Sequence, residues 1–582
     1  MAAFKITSFA GVAPKLSARL LANDVGQEAK DVNLDAGVLT PVKDNSNVQQ
    51  ITDGRTSAYK YDFSGSSYYL QFTNDVNVVP GPVPDDAFDR LYWTGNTFPQ
   101  MASSTEIITA GGSGDFPRNF FRLGIPAPAN APTTSITSGS DDGTQTQFST
   151  SYVYTFVSAF GEEGPPSPAS TVLTKVDAQT VTVSGMDTST SKSNTNLSKK
   201  RIYRSNTGSN TTNFQFVKEV TLATASTTDN TTNANLAEII PSTFHIAPPD
   251  EDTSTYPNGK MIGLTAMPNG VLAGFTGKRL CFSEPFLPHA WPVAFRITLE
   301  EEIVAIAMTG SGLFVGTKGT PYLVAGTDPQ SMSIVRLEAA QACLNKRSMV
   351  DMGDYVIYAS PDGLVLVEGT SVGVVTEPII DPETWRASYY PDTIQGFLHE
   401  GKYIGYFSSG GNRGGFIFDP RGGKNAFTNL TATTTTIPTG GYTDPDNNEL
   451  YVIVDNGSTT NIERYQNGSN NQTLTFKTKE IVMPKLTSMA FVKVEAESFA
   501  SPGITVKVFG DGTEIYDATI TTSGSVFSVT GAAPTSFSAT SISEPILRLP
   551  ASKHKTFAVE VSGAQVVNEI AIAESMEELR SI

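Results

Sequence analysis

The segment NGVLAGFTGKRLCFSEP, residues Asn269–Pro285, decides how this chain folds. Two short apolar runs, VLAGF and RLCF, flank a Thr-Gly-Lys turn, a pattern typical of two antiparallel strands joined tightly. The same strand–turn–strand arrangement returns four more times, with starts 42, 43, 47 and 47 residues apart. The later copies start at Ser311, Asp354, Gly401 and Asn448. Repeats of about 40–50 residues indicate the blades of a β-propeller, each a four-stranded sheet.

Composition favours strands over helices throughout the chain. Hydrophobic residues make up 39% of the 582 residues and charged residues only 17%. Much of the remainder is Thr, Ser and Asn, which disfavour helix interiors, while 50 glycines and 35 prolines supply turns. The length predicts three to five units, because domains usually run to about 100–200 residues.

Shifts of pattern divide the chain into five predicted parts. Two Pro-rich linkers, RLGIPAPANAPTT and HIAPPDED, bracket the second change of pattern. The predicted parts are an N-terminal segment with a short helix (residues 1–44), the first propeller blade or blades (45–126), an inserted β-sandwich (127–247), the remaining blades (248–473) and a C-terminal β-sandwich (474–582). The expected fold class is therefore all-β, a propeller interrupted by one sandwich and followed by another.

Helix is expected at two places. Leu21, Val25 and Ala29 fall on one helical stripe, which Gly26 keeps short. The acidic C-terminal segment ESMEELRSI is the second candidate.

The inserted part resembles a fibronectin type III module. Tyr152, Tyr154 and Phe156 alternate with Val and Thr in one strand, the turn GEEGPPSP follows, and the strand RIYR comes later. The resemblance implies a module that binds or spaces rather than one that catalyses.

Charge and cysteine content restrict the partners and the compartment. The net charge of −18 argues against a surface that grips DNA, which needs clustered Lys and Arg. Cys281 and Cys343 lie in apolar, strand-like sequence and are expected to be buried free thiols, as in a reducing cytoplasm. The N-terminal residues contain no signal-peptide apolar run, and no stretch approaches ~18 apolar residues, so no membrane span is expected.

The stretch SEPFLPHAWP, Ser283–Pro292, holds the side chains that most resemble a catalytic set. Ser283, Glu284 and His289 are close in sequence, but nucleophilic catalysis needs a base within reach of the nucleophile and a third group that orients the base. Prolines force extended backbone between them, so we predict a Pro-braced loop after a blade strand, with Trp291 covering a blade edge.

Two other motifs resemble known sites and depart from them. SPDG, Ser360–Gly363, resembles the aspartate box of sialidase-type propellers, but no Trp follows, and a Pro-Asp-Gly hairpin turn explains it. Asp444, Asp446 and Asn448 alternate as in a calcium loop, but Glu449 stands where glycine belongs and the distal Glu is missing. We predict a loop turn there, with a weak surface cation as the alternative.

The remaining polar clusters also favour structural roles. GGNRGG, Gly410–Gly415, has no helix behind it to bind phosphate and is predicted to be a hairpin tip. LEEEI, Leu299–Ile303, is predicted to be a solvated face, although paired carboxylates across a cleft would suit a glycosidase. His245, His399 and His554 have no metal-ligand spacing. No catalytic, cofactor-binding or metal-binding residue is predicted.

Two stretches carry a resemblance to a known family. FAGVAPKLSARLLANDVGQEAKDVNLDAGVLTPVKD is similar to the opening of phage tail proteins, and LTAMPNGVLAGFTGKRLCFSEPFLPHAWP is similar to a recurrent stretch of phage virion proteins. With the expected propeller and sandwiches, the chain resembles the tail nozzle (tail tubular protein B-like) proteins of short-tailed bacteriophages. These motifs cover about 65 residues, and the chain is shorter than many nozzle proteins.

The resemblance implies a structural virion protein without enzyme activity. It implies a ring, a hexamer, at the distal end of the tail, which assembles in the host cytoplasm and holds back and then conducts genomic DNA. The implied partners are further copies of the chain, the adaptor or portal-side ring, tail fibre or spike proteins, and viral DNA bound without sequence specificity. The alternatives are a glycan-degrading propeller enzyme, disfavoured by only three tryptophans, and a glycan-binding adhesin.

Overall fold

A computed structural model describes residues 3–207, 212–423, 426–444, 446–523, 526–531 and 545–582. The chain divides into two compact units. Unit 1 comprises Met1–Ala58, Thr309–Tyr322 and Arg336–Ile582, and unit 2 comprises Tyr59–Met308 and Leu323–Val335. Strands dominate both units, which confirms the predicted all-β class.

Two of the four-stranded antiparallel sheets in unit 2 are here called blades A and B. Blade A consists of Asn77–Pro80, Leu91–Thr94, Gln100–Ala102 and Phe121–Arg122. Blade B consists of Ile262–Ala266, Leu272–Thr276, Arg279–Phe282 and Ile297–Thr298. In each blade the strands pair in chain order, as expected when successive short strands are joined by tight turns.

Residues of the second strand of blade A alternate between two cores, because successive strand side chains point to opposite faces. Tyr92 packs with Leu272 and Trp291 between blades A and B. Leu91 and Trp93 pack on the other side with residues of the strands Ser57–Phe63 and Ser66–Phe72. A short helix, Ser104–Ile108, follows the third strand.

The inserted part forms a β-sandwich between the two blades in sequence. One sheet has the order Glu163–Pro166, Tyr152–Ser158, Leu197–Thr207 and Thr212–Thr221; a second has Thr133–Ser138, Thr180–Ser184 and Thr227–Asp229; and Phe148–Thr150 pairs with Leu173–Lys175. Tyr152, Tyr154 and Phe156 of the first sheet share one core with Val181 and Val183 of the second. The alternation of aromatic residues read from the sequence therefore marks the inner face of the sandwich. Its resemblance to fibronectin type III remains a prediction.

The division between the units falls within the next group of strands. These are Ile303–Thr309, Gly312–Thr317, Tyr322–Ala325 and Ser333–Arg336.

Unit 1 contains three further blades, here called C, D and E. Blade C consists of Val350–Asp351, Val356–Ser360, Gly363–Glu368 and Ser371–Val374, and blade D of Gln395–His399, Lys402–Ser409, Asn412–Phe418 and Phe427–Leu430. Blade E consists of Pro438–Asp444, Glu449–Asp455, Thr460–Arg464 and, from far upstream, Ser46–Ile51. The helix Pro382–Tyr389, capped by Asp381, joins blades C and D.

The sequence repeat corresponds to the middle of a blade. In blades B, C, D and E the two strands of each repeat are the second and third strands, joined by the turn. The copy that starts at Ser311 supplies Gly312–Thr317 and Tyr322–Ala325. The prediction of a propeller with blade-length repeats is thus confirmed as the fold class.

The C-terminal part forms two sheets that share one core. One sheet contains Leu474–Lys477, Ile481–Thr487, Ile504–Gly510, Thr513–Ser523, Val526–Thr530 and His554–Gly563, and it continues through Glu28–Lys30 into blade D. The other contains Ala3–Ile6, Phe491–Ala496, Ile546–Arg548 and Val567–Ala573. Val492 and Val506 lie in the shared core. The expected helix at the C-terminus is present as Met576–Ser581.

The short helix predicted in the N-terminal segment is wrong. Val25–Gly26 is instead a strand that pairs in parallel with Ala10–Val12, and Glu28–Lys30 is a second strand. Leu21 and Val25 pack on Ala10. The residues of the predicted helical stripe are buried, as expected. The backbone of Val25 and Ala29, however, pairs with other strands instead of forming a helix, in which Gly26 would be unfavourable. The hairpin Val32–Asn33 with Thr40–Pro41 completes the segment.

Candidate functional site

The loop Ser283–Pro292 leaves blade B and returns to it in a braced conformation. Glu284 N donates to Ala290 O at 2.9 Å, and Ala290 N donates to Leu287 O at 3.0 Å. Phe286 has φ of 58°, a left-handed conformation that bulky residues rarely adopt. The strained residue is held because Phe286 N donates to Gly270 O at 2.9 Å.

Gly270 makes the close approach of Phe286 possible. A Cβ atom built on Gly270 would lie 2.4 Å from the Phe286 ring, and Gly270 itself has φ of 69°. Glycine accepts both the positive φ and the contact. The conformation of the loop at Phe286 therefore depends on Gly270, which lies outside the loop.

Trp291 anchors the loop in the core between blades A and B. Its side chain is fully buried, and its Nε1 donates to Pro288 O at 2.8 Å. Its backbone N donates to Ile246 O at 2.7 Å, which ties the loop to the second linker of the inserted sandwich. The predicted structural role of Trp291 agrees with this burial.

His289 lies buried beside an ion pair that joins the inserted sandwich to blade A. Its Nδ1 is 3.7 Å from Oε1 of Glu162, which accepts from Arg90 at 2.6 Å. Arg90 also pairs with Asp86 at 2.6 Å, and the His245 ring contacts the His289 ring edge-on. Burial, with the nearby His245 and Arg90, lowers the pKa of His289 to about 3, so the ring is neutral at physiological pH.

Burial raises the pKa of the Glu162 carboxyl, and the positive charge of Arg90 acts against this shift. Sequence reasoning noticed Glu162 only as part of the turn GEEGPPSP. Nothing in its local pattern indicates Arg90 as its partner, since the two residues are separated by an entire linker.

The structure does not bring Ser283, Glu284 and His289 together as a catalytic set. Ser283 is buried; its hydroxyl accepts from Leu272 N at 2.9 Å and donates to Glu284 O at 3.0 Å. The carboxylate beside His289 is Glu162 rather than Glu284. The hydroxyl of Ser283 therefore stabilises the loop backbone.

The other predicted turns are where the sequence placed them. Ser360 and Gly363 pair across the hairpin of blade C, so SPDG is a turn. In blade E, Asp446 N donates to Asp444 Oδ1 at 3.1 Å and Asp444 pairs with Glu449. Residue 445 of this loop lies outside the described residues.

The glycine-rich stretch GGNRGG confirms the predicted hairpin tip. Ser409 pairs with Asn412 around a two-residue turn in which Gly410 and Gly411 have φ of 58° and 94°. Glycine is preferred at such turns because both central residues need positive φ. In LEEEI, Glu300 and Glu302 are exposed and Leu299 is buried.

Both thiols are free and buried, as predicted for Cys281 and Cys343. The remaining histidines are dispersed. His245 Nδ1 lies 3.2 Å from Glu163 O, His399 contacts the Tyr465 ring, and His554 pairs with Asp511 at 3.2 Å.

Two surfaces with exposed apolar side chains were not found by sequence reasoning. The first, called the N-terminal patch, consists of Leu16, Leu20, Val482 and Leu486, and Leu20 is 73% exposed. Its two segments adjoin because Arg19 pairs with Glu480 at 2.8 Å and Glu480 N donates to Ala18 O at 3.1 Å.

The second surface, called the loop patch, lies in unit 2. It consists of Phe244, Phe286, Leu287 and Val293, and Phe244 is 69% exposed. The hydrogen bond from Trp291 to Ile246 holds its two segments side by side. Clustered exposed apolar residues mark interaction sites more often than scattered ones do.

Within the described ranges, no group of three or more His, Cys, Asp or Glu side chains is placed to hold a metal ion. Likewise, among the residues whose placement is described, no helix has the length and apolarity needed to cross a membrane.

Comparison with known proteins identifies no family. No protein-family description and no curated protein matches the chain. Solved structures with propeller-like folds do match. BBS1N, crystallised in complex with ARL6DN, is 11% identical with a TM-score of 0.28, covering 74% of this chain and 98% of its own.

The AfRom2 CNH domain is 8% identical with a TM-score of 0.24, covering 62% of this chain and 94% of its own. YCF48 from Cyanidioschyzon merolae is 10% identical with a TM-score of 0.24, covering 54% and 95%. Likenesses this distant carry no argument about function, and the assignment of propeller blades rests on the sheets themselves.

Proposed function

We propose that this chain is a structural virion protein that forms a ring, a hexamer, at the distal end of a short phage tail and conducts DNA during ejection. The observation that carries this proposal is the pair of apolar patches, one in each unit. A ring built by rotation uses two different surfaces on every subunit, one for each neighbour. The N-terminal patch and the loop patch supply two such surfaces.

The charge of the chain suits a channel that lets DNA pass. Six copies at −18 each carry −108. A surface of the same sign as the phosphate backbone does not retain DNA, since retention depends on Lys and Arg neutralising phosphates. The resemblance of the N-terminal and SEPFLPHAWP stretches to phage tail proteins agrees with this role.

The decisive experiment is negative-stain microscopy of the purified chain, with its mass measured by light scattering. We expect six-fold rings. The variants Leu20→Asp and Phe244→Asp each place a charge in one patch and should release monomers. Val172→Asp is the matched control, because Val172 is 71% exposed but lies outside both patches, and it should leave rings intact. Wild-type protein that is strictly monomeric at all concentrations contradicts the proposal.

A further inference from the structure

A cavity lies where the two linkers of the inserted sandwich meet the sandwich itself. It has a volume of about 780 Å³, and all of its lining residues belong to unit 2. The lining residues of one linker lie between positions 122 and 129 and those of the other between 243 and 256, while a loop of the sandwich contributes Asp187 and residues 189–192. The volume falls within the range of about 300–1,000 Å³ that is usual for small-molecule sites.

The charged groups that line the cavity are held in position by ion pairs. Lys192 Nζ lies 2.7 Å from Asp250 Oδ2 and 3.8 Å from Asp252 Oδ2. Arg122, whose side chain is 4% exposed, lies 3.4 Å from the same Asp250 oxygen and holds Glu251 at 2.6 Å. These pairs hold donors and acceptors in place before any ligand arrives, which reduces the ordering cost of binding.

The same charges indicate the charge of the ligand. Two cations and three carboxylates line the cavity, namely Arg122, Lys192, Asp187, Asp250 and Asp252. Hydrogen bonds from Ser254 lower the pKa of Asp252 to about 2, so this carboxylate is ionised at neutral pH. The carboxylates would repel a phosphate or other anion, and Arg122 and Lys192 would repel a cation. A neutral ligand with many hydroxyl groups is repelled by neither set. It can donate hydrogen bonds to the ionised carboxylates and accept them from Lys and Arg.

Apolar side chains make up another part of the lining. They are Ile125, Pro126, Phe156, Pro165, Pro166, Ile246 and Ala247. Tyr256 also lines the cavity, and the Arg296 guanidinium carbon lies 5.7 Å from the centre of its ring, which holds the ring in place. Hydroxyl groups of Ser189, Thr190, Ser191, Thr243 and Thr255 complete the lining.

We infer that this cavity binds a neutral saccharide. A pyranose ring has hydroxyl groups around its edge and C–H groups on its faces. It therefore matches a lining that combines charged hydrogen-bonding groups with apolar side chains and a tyrosine ring. This inference concerns a cavity of the single chain and does not rest on the proposed ring.

The test is a ligand-observed NMR titration of the full chain. The probes are glucose, galactose, N-acetylglucosamine, maltose, lactose and chitobiose, each at millimolar concentration, with inorganic phosphate as the anionic comparison. At least one saccharide should bind and phosphate should not. Asp252→Asn should weaken binding several-fold, since an uncharged amide oxygen accepts weaker hydrogen bonds than an ionised carboxylate.

A pair of neighbouring variants separates this cavity from binding elsewhere. Ser189 lines the cavity and is exposed, so Ser189→Trp should fill it and abolish binding without disturbing the fold. Thr188 is exposed and does not line the cavity, so Thr188→Trp is the matched control and should bind like wild type. The inference is overturned if none of the saccharides binds, if phosphate binds in their place, or if Ser189→Trp binds as well as Thr188→Trp.

Discussion

Acidification should weaken unit 2 through His289. Its pKa is about 3 in the folded protein and about 6.5 in an unfolded chain. Between these values the unfolded chain binds a proton that the folded protein does not, so the free energy of unfolding falls as pH falls through this window. Integrated from about pH 7.5 to about pH 4.5, the loss due to this single ring is about 2–3 kcal/mol.

Glu162 opposes this loss. Its folded pKa is raised by burial, so on acidification it takes up a proton in the folded protein before it does in the unfolded chain, which favours the folded state. His289→Gln should therefore flatten the dependence of stability on pH, and Glu162→Gln should steepen it. Glutamine at position 162 retains an oxygen that can accept from Arg90, so this variant changes titration more than packing.

The assay is urea unfolding at both pH values, followed by tryptophan fluorescence. Two of the three tryptophans, Trp93 and Trp291, are buried in unit 2 and report on it. The quantity to compare is the difference in unfolding free energy between the two pH values, since packing changes caused by a substitution cancel in that difference. If wild type and His289→Gln lose the same free energy on acidification, the assignment of acid sensitivity to this ring is wrong.

Three further perturbations follow from burial and backbone geometry. Trp291→Ala should lower the free energy of unfolding in urea by about 3–5 kcal/mol, because a fully buried ring is removed from the core between blades. An unfolding curve like that of wild type would disprove the bracing role. His289→Ala should leave ring assembly in micrographs intact. Gly270→Ala should cost about 2–4 kcal/mol, from positive φ plus a clash with the Phe286 ring. Its control, Gly410→Ala, has the positive φ but open space and should cost only about 1–2 kcal/mol; equal losses would exclude the clash. Ellman's reagent should label neither Cys281 nor Cys343 in the native protein and both in urea, since burial raises their pKa values to about 11 and about 12; fast native labelling of either thiol would contradict their burial.

Local patterns predicted the strands well and their partners poorly. The repeat from Asn269 onward located the second and third strands of four blades, because hairpin partners are near in sequence and joined by recognisable turns. The sequence predicts the strand Ser46–Ile51 as part of an early blade, yet it completes blade E beside Thr460–Arg464. No periodicity within either strand encodes a partner about four hundred residues away.

The candidate site shows the same limit. The expectation of extended backbone across SEPFLPHAWP is wrong: Phe286 has φ of 58°, and Leu287 N donates to Glu284 O at 3.2 Å, so the chain turns there and is braced by its own backbone hydrogen bonds. The ion pair of Glu162 with Arg90, the histidine beside it and the charged groups around Asp250 each join segments that are distant along the chain. Sequence proximity placed His289 with Glu284, whereas folding placed it with Glu162.

The sequence alone determined three features: the strand order within hairpins, the turn conformations at SPDG and GGNRGG, and the burial of Trp291 and Cys281. These features depend on neighbours a few residues apart and on the hydrophobicity of the side chain itself. Only the tertiary structure decided four other features. These are the completion of blade E, the strands in place of the expected N-terminal helix, the two apolar patches and the cavity between the linkers. Each of these needs segments distant along the chain to meet, and which segments meet is selected by how the whole chain buries its apolar surface and pairs its buried polar groups.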